Sequence, residues 1–223
     1  MIPHRRLLAE DLLLLAWDDA AGRPRGGRSL QLPVAIGGSL LLDLALRDRL
    51  RIEVDVPRAS TRPTGDDLLD EVAAELRAGP SRRRLRRWVR RVGTTTRRDR
   101  VRERLIAEGL LVAEEQRVLR LATVTRHRLT ADAPLEQMAD TVRRVLAGGR
   151  AEDDRTAALA ALVGSTPVID QLLPRSERRA ARQRAVELAD SASLSAPVRA
   201  VINDTRAAVS AAGANTGAGT ASS

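Results

Sequence analysis

Residues 81–92 read Ser-Arg-Arg-Arg-Leu-Arg-Arg-Trp-Val-Arg-Arg-Val. Leu85, Trp88, Val89 and Val92 fall at i, i+3, i+4 and i+7, and Arg82, Arg83, Arg86, Arg87, Arg90 and Arg91 fill the other positions. That spacing predicts a basic amphipathic helix with a single apolar stripe. A second basic helix is predicted over 97–108, with Arg97, Arg98, Arg100, Arg102 and Arg104 around Val101, Leu105 and Ile106, and Gly109 as its stop. Two such helices need a core to dock on.

The flanking sequence supplies one. Residues 9–20 predict a helix whose run Leu12-Leu13-Leu14-Leu15-Ala16-Trp17 is apolar all round, hence central. A further helix is expected over 38–47, a strand over 50–54, and a helix opening at Pro63-Thr64-Gly65-Asp66-Asp67 with Thr64 as N-cap and Asp67 in a capping box. Residues 110–129 read as a hairpin, and helices are expected near 134–147, 153–163, 175–190 and 197–210. The expected fold is mainly α, a single helical domain over 1–212 with a projecting β-hairpin. Residues 213–223 contain only Ala, Gly, Ser, Thr and Asn and are expected to form a disordered tail.

Composition narrows the chemistry. Among 223 residues there is no Cys, which excludes disulfides, thiolate metal sites and a Cys nucleophile. The two histidines, His4 and His127, are far apart, and Trp17 and Trp88 are the sole aromatic residues, too few for a base-stacking platform. The carboxylate pairs Asp18-Asp19, Asp66-Asp67, Asp70-Glu71 and Asp153-Asp154 sit at helix ends or on exposed faces, where charge is expected for structural reasons. No GxGxxG or Walker loop is present, no cofactor or metal is implied, and the reading is noncatalytic. The longest apolar region, 30–46, is interrupted by Pro33, Gly37, Gly38 and Asp43, so a buried helix is expected rather than a membrane span. A cytoplasmic protein is expected, lying on a membrane if it meets one.

The net charge of +9 points to a polyanionic partner. Every basic side chain but the histidines is Arg, whose planar fork suits phosphate. Two polyanions fit. One is an anionic phospholipid surface. The other is DNA, because a basic helix followed by a hairpin is also the outline of a winged helix.

Several segments, in order, resemble the Golgi phosphoprotein 3 family. These are Leu12-Leu13-Leu14-Leu15 with Asp18 and Gly22; Asp43-Leu44-Ala45-Leu46-Arg47-Asp48-Arg49-Leu50; Pro63-Thr64-Gly65-Asp66-Asp67-Leu68-Leu69-Asp70-Glu71; Trp88; Arg98-Asp99-Arg100; and Leu105-Ile106-Ala107-Glu108-Gly109-Leu110-Leu111. The resemblance covers about residues 7–210 and is that of a bacterial-type member. It implies a helical domain with a projecting hairpin that binds phosphatidylinositol 4-phosphate and associates peripherally with membranes. Eukaryotic members also retain Golgi glycosyltransferases; with a bacterial composition, that role is not carried over.

The family's lipid pocket uses a Trp and three Arg. Aligned here, the Trp position falls near Arg28, and the Arg positions fall at Gly37, Thr95 and Arg98, so Arg98 alone is retained. The resemblance and the charge cluster together select Arg98, with Arg97, Arg100, Arg82, Arg86, Arg90 and Arg28 as further lipid-binding candidates. In the hairpin, Val118-Leu119-Arg120-Leu121 places an Arg within the apolar tip, and Leu119 and Leu121 are candidates for self-association. The partners expected are an anionic phospholipid or phosphoinositide surface, a second copy of the chain, and a protein not identified by sequence, with DNA as the alternative.

Overall fold

Two helices with no exposed face form the centre. Every residue of α1 (Leu8–Leu15) is buried, and so is nearly all of α2 (Gln31–Leu46). Around α2 pack α3 (Asp67–Ala78), α4 (Leu85–Val92), α5 (Thr95–Ala107), α7 (Asp154–Gly164) and α10 (Ala196–Gly217). The computed structural model describes residues 6–25, 29–80, 82–118 and 122–217, with the side chains of all but 115–118, 122–124 and 215–217. Helices α6 (Leu135–Leu146), α8 (Ile169–Leu172) and α9 (Arg178–Asp190) complete the helical set among these residues. Three antiparallel hairpins join them: β1 (Trp17–Asp18) with β2 (Arg23–Pro24), β3 (Leu50–Glu53) with β4 (Val56–Ala59), and β5 (Leu111–Val118) with β6 (Ala122–Leu129). The fold is mainly α with a projecting β-hairpin, as the sequence predicts.

The differences from the sequence reading have local causes. Helix α1 stops at Leu15 rather than near residue 20, because the Asp18 carboxylate accepts the Ala21 N–H and turns the chain into β1–β2. Helix α2 begins at Gln31, well before 38. Pro33 stands in its first turn, where a missing N–H costs no intrahelical bond. The N-cap of α3 is Asp66 rather than Thr64: its carboxylate accepts the Leu68 and Leu69 N–H groups at 3.0 and 3.1 Å, while Thr64 Oγ1 accepts the Asp66 N–H. Helix α10 runs through Gly217, past the 212 boundary expected for the folded part, and Gln31 donates to the Val209 carbonyl on it.

Gly37 and Gly38 explain why α2 tolerates two helix-weakening residues. A Cβ on Gly37 would collide with the backbone of Gly93 and the Val89 carbonyl of α4, and one on Gly38 with Thr205 of α10. The glycines therefore permit backbone-level approach on both sides of α2. Gly37→Ala should cost about 1–3 kcal/mol through overpacking, read as a lower Tm in thermal unfolding. An unchanged Tm would show that the α2–α4 contact relaxes freely.

The β5–β6 hairpin, paired from Leu111 opposite Leu129 to Val118 opposite Ala122, is tied to the body at its base. Trp17 Nε1 donates to the His127 carbonyl at 3.2 Å, and the Asp19 carboxylate accepts the Leu129 N–H at 2.8 Å. Leu119 and Leu121 lie outside the described residues, as does Arg28.

Candidate functional site

Helix α4 buries the predicted stripe, Leu85, Trp88, Val89 and Val92, against α2 and α10. The Trp88 ring lies against Gly79, whose lack of a Cβ makes room for it, and the guanidinium carbons of Arg83 and Arg91 stand 5.2 and 5.6 Å from its centroid. Arg91 is also held by Glu75 at 2.5 Å. On the outward side, Arg82, Arg84, Arg86, Arg87 and Arg90 line a groove of 530 Å³ whose far wall is Ala208 and Ala211 of α10. Among the described residues none of these five arginines forms an ion pair. Asp204 of α10 is a nearby carboxylate; burial raises its pKa, against the pull of Arg86.

Helix α5 is also Arg-rich but electrostatically opposite. Thr94 caps it by accepting the Arg97 N–H. Arg97 turns inward, donating to the Val92 carbonyl at 3.2 Å and pairing with Glu75 at 2.5 Å and Glu71 at 3.5 Å. Arg100 pairs with Glu71, and Arg104 bridges Glu10 at 2.5 Å and Asp66 at 2.7 Å. The hydrogen bond from Arg100 leads in holding Glu71 below its usual range. Burial alone would raise Glu75, but Arg97 and Arg91 together hold it low. The structure thus separates the sequence candidates: Arg97 and Arg100 are neutralised within the fold, while Arg82, Arg86 and Arg90 share one unneutralised groove.

Arg98 belongs to neither group. It lines a smaller cavity of 160 Å³ with Asp99 and Arg102 of α5, Leu13 and Trp17, and Arg23 and Pro24 of β2. Asp99 Oδ1 accepts from Arg98 at 2.8 Å and from Arg102 at 3.2 Å. Three arginines therefore line one recess together with Leu13, Trp17 and Pro24, and one carboxylate is shared by two of them. Arg102, Arg23 and Trp17 are additions to the sequence candidates. Arg102 was legible as the i+4 neighbour of Arg98; Arg23 and Trp17 were not, because β1–β2 is too short to leave a pattern. His127 packs edge-on to Trp17, with ring centroids 6.4 Å apart, and burial and Arg102 lower its pKa.

The acidic pairs have structural duties. Asp66 and Asp153 cap α3 and α7, Asp70 accepts the Thr64 N–H, and Asp18 holds Ala21 and Arg25. Among the described residues no helix is long and apolar enough to cross a membrane.

The described fold is a helical core that turns one basic helix outward, with a hairpin anchored beside a second. The profile of the family described as Golgi phosphoprotein 3 (GPP34) matches residues 8–205, from the start of α1 to deep within α10. The chain belongs to that family.

Proposed function

We propose that this chain is a noncatalytic peripheral protein that attaches reversibly to anionic phospholipid surfaces on the cytoplasmic side, phosphatidylinositol 4-phosphate among them. The observation that carries this reading is the contrast between the two basic helices. The fold neutralises Arg97, Arg100 and Arg104 of α5 with Glu71, Glu75, Glu10 and Asp66, whereas Arg82 and Arg84 just before α4 and Arg86, Arg87 and Arg90 on it line one groove and, among the described residues, form no ion pair. Each Arg close to an anionic leaflet contributes about 1 kcal/mol, screened within a Debye length. A handful gives salt-sensitive attachment. The Arg98–Arg102–Arg23 recess supplies a phosphate-sized partner site, where a headgroup would compete with Asp99 for two guanidinium groups. Family membership supports the phosphoinositide class.

Vesicle co-sedimentation tests the reading, with and without phosphatidylinositol 4-phosphate at matched surface charge. The Arg82/Arg86/Arg90→Ala triple variant should lose about 3 kcal/mol, on the order of a hundredfold in partitioning. Arg98→Ala should lose preference for the phosphoinositide at equal charge. A triple variant that sediments like wild type overturns the reading. So does displacement from vesicles at physiological salt by duplex DNA of one particular sequence, which would favour a base-reading role.

A further inference from the structure

The β3–β4 hairpin turns on Val54 and Asp55, at φ 47° and 65°. Two successive residues at positive φ make the tight hairpin turn that normally takes Asn-Gly, and a β-branched residue there is strained. The strain brings Val54 no internal packing: it is 96% exposed, against 60% for Leu30 and 43% for Val112, the next most exposed large apolar residues described. Strain retained without a packing gain is a reason to look for an external contact.

The turn's position identifies that contact. The Asp55 carbonyl accepts the Leu85 N–H at 2.7 Å, fixing the turn to the first residue of α4. Val54 is therefore held at the N-terminal end of the helix whose Arg86, Arg87 and Arg90 line the groove, with Arg84 just before it. Near the turn, Glu53 is drawn to Arg58 at 3.6 Å and Arg51 stands opposite Arg58 across the hairpin, so the acidic groups Glu53 and Asp55 do not outweigh the arginines.

We infer that Val54 is an interfacial wedge. It enters the headgroup–acyl boundary of an anionic bilayer while the α4 arginines engage the phosphates around it, and this rests on the surface-binding reading above. Charge complementarity selects the lipid surface, because the lone apolar tip is held at the start of α4 beside a groove lined by arginines. A protein partner would be expected to meet an aromatic-rich, multi-residue patch instead.

The chain contains no cysteine, so Val54→Cys accepts an environment-sensitive nitrobenzoxadiazole label at one place. Ser176→Cys, exposed on the loop between α8 and α9, serves as the control. Added vesicles of phosphatidylcholine with phosphatidylserine should shift the emission of the label at 54 to the blue and expose it to a quencher buried in the acyl region. The label at 176 should remain in water. Unlabelled Val54→Ser should bind the same vesicles about tenfold more weakly, with its salt dependence unchanged, because the apolar contribution is lost and the charges are kept. If the protein co-sediments but the label at 54 stays in water, or Val54→Ser binds like wild type, the wedge is wrong and the electrostatic reading stands. If neither labelled protein sediments with anionic vesicles while its fold is intact, both are wrong.

Discussion

Trp88→Ala should destabilise the protein by about 3–5 kcal/mol, the range for deleting a buried Trp or Phe. Trp88 is 1% exposed and is the largest of the fully buried side chains. Its neighbours cannot close the space. On one side is Gly79, with no side chain to swing in; Arg83 and Arg91 stand against the ring and gain nothing from entering an apolar void. The cation–π attraction to both guanidinium groups disappears with the ring. Chemical denaturation followed by far-ultraviolet circular dichroism measures the loss. A change near zero would place the ring outside the core. Vesicle attachment should weaken with it, because the groove arginines share α4 with the anchoring Trp88.

That pairing of anchor and groove was legible in the sequence, since the 3.6-residue period places Leu85, Trp88, Val89 and Val92 on one face whatever they dock against. Helices α5, α6, α7 and α9 were legible by the same rule, to within about three residues at each end. The start of α2 was not. Pro33, Gly37 and Gly38 look locally like breaks, and their reason is tertiary: a first-turn position for one and backbone contact with α4 and α10 for the others. Val54 likewise fits the alternation of Leu50 and Ile52, but strand pairing ends at Glu53 opposite Val56. In the candidate site, local sequence shows where arginines cluster and not which are neutralised. The partners of Arg97 and Arg104 stand 22 to 94 positions away in the chain, so α4 and α5 look equally available until α1 and α3 are in place.

The same neutralising logic operates deeper, and there it carries a cost. Asp43 of α2 is 2% exposed; it accepts the Leu8 N–H at 2.7 Å and faces Arg155 of α7 at 3.3 Å. Arg155 also pairs with Asp11, which Arg6 reaches at 3.2 Å. Burial pushes the Asp43 carboxyl from 3.8 up to about 7, although Arg155 and the Leu8 N–H both favour its charged form. Between about pH 4 and 7 the folded chain therefore holds a proton that the unfolded chain has released. Asp43 then makes stability fall as pH rises through that window. Exposed, Arg-paired Glu71 works in the other direction, so the contribution must be read as a difference. Unfolding free energies of wild type and Asp43→Asn should diverge from pH 4 to pH 7, with the variant gaining relative to wild type. Asn can keep one of the two hydrogen bonds and leaves Arg155 its pair with Asp11. Arg155→Met is the converse. It removes the cation that favours the charged form of Asp43 and leaves Asp11 with Arg6, so its cost should rise above pH 7, where wild-type Asp43 is ionised, towards about 3–5 kcal/mol at the alkaline end. At pH 5, where Asp43 is protonated with or without Arg155, the cost should be smaller. Parallel pH profiles for wild type and Asp43→Asn would mean that the carboxylate is already well solvated or fully compensated by Arg155.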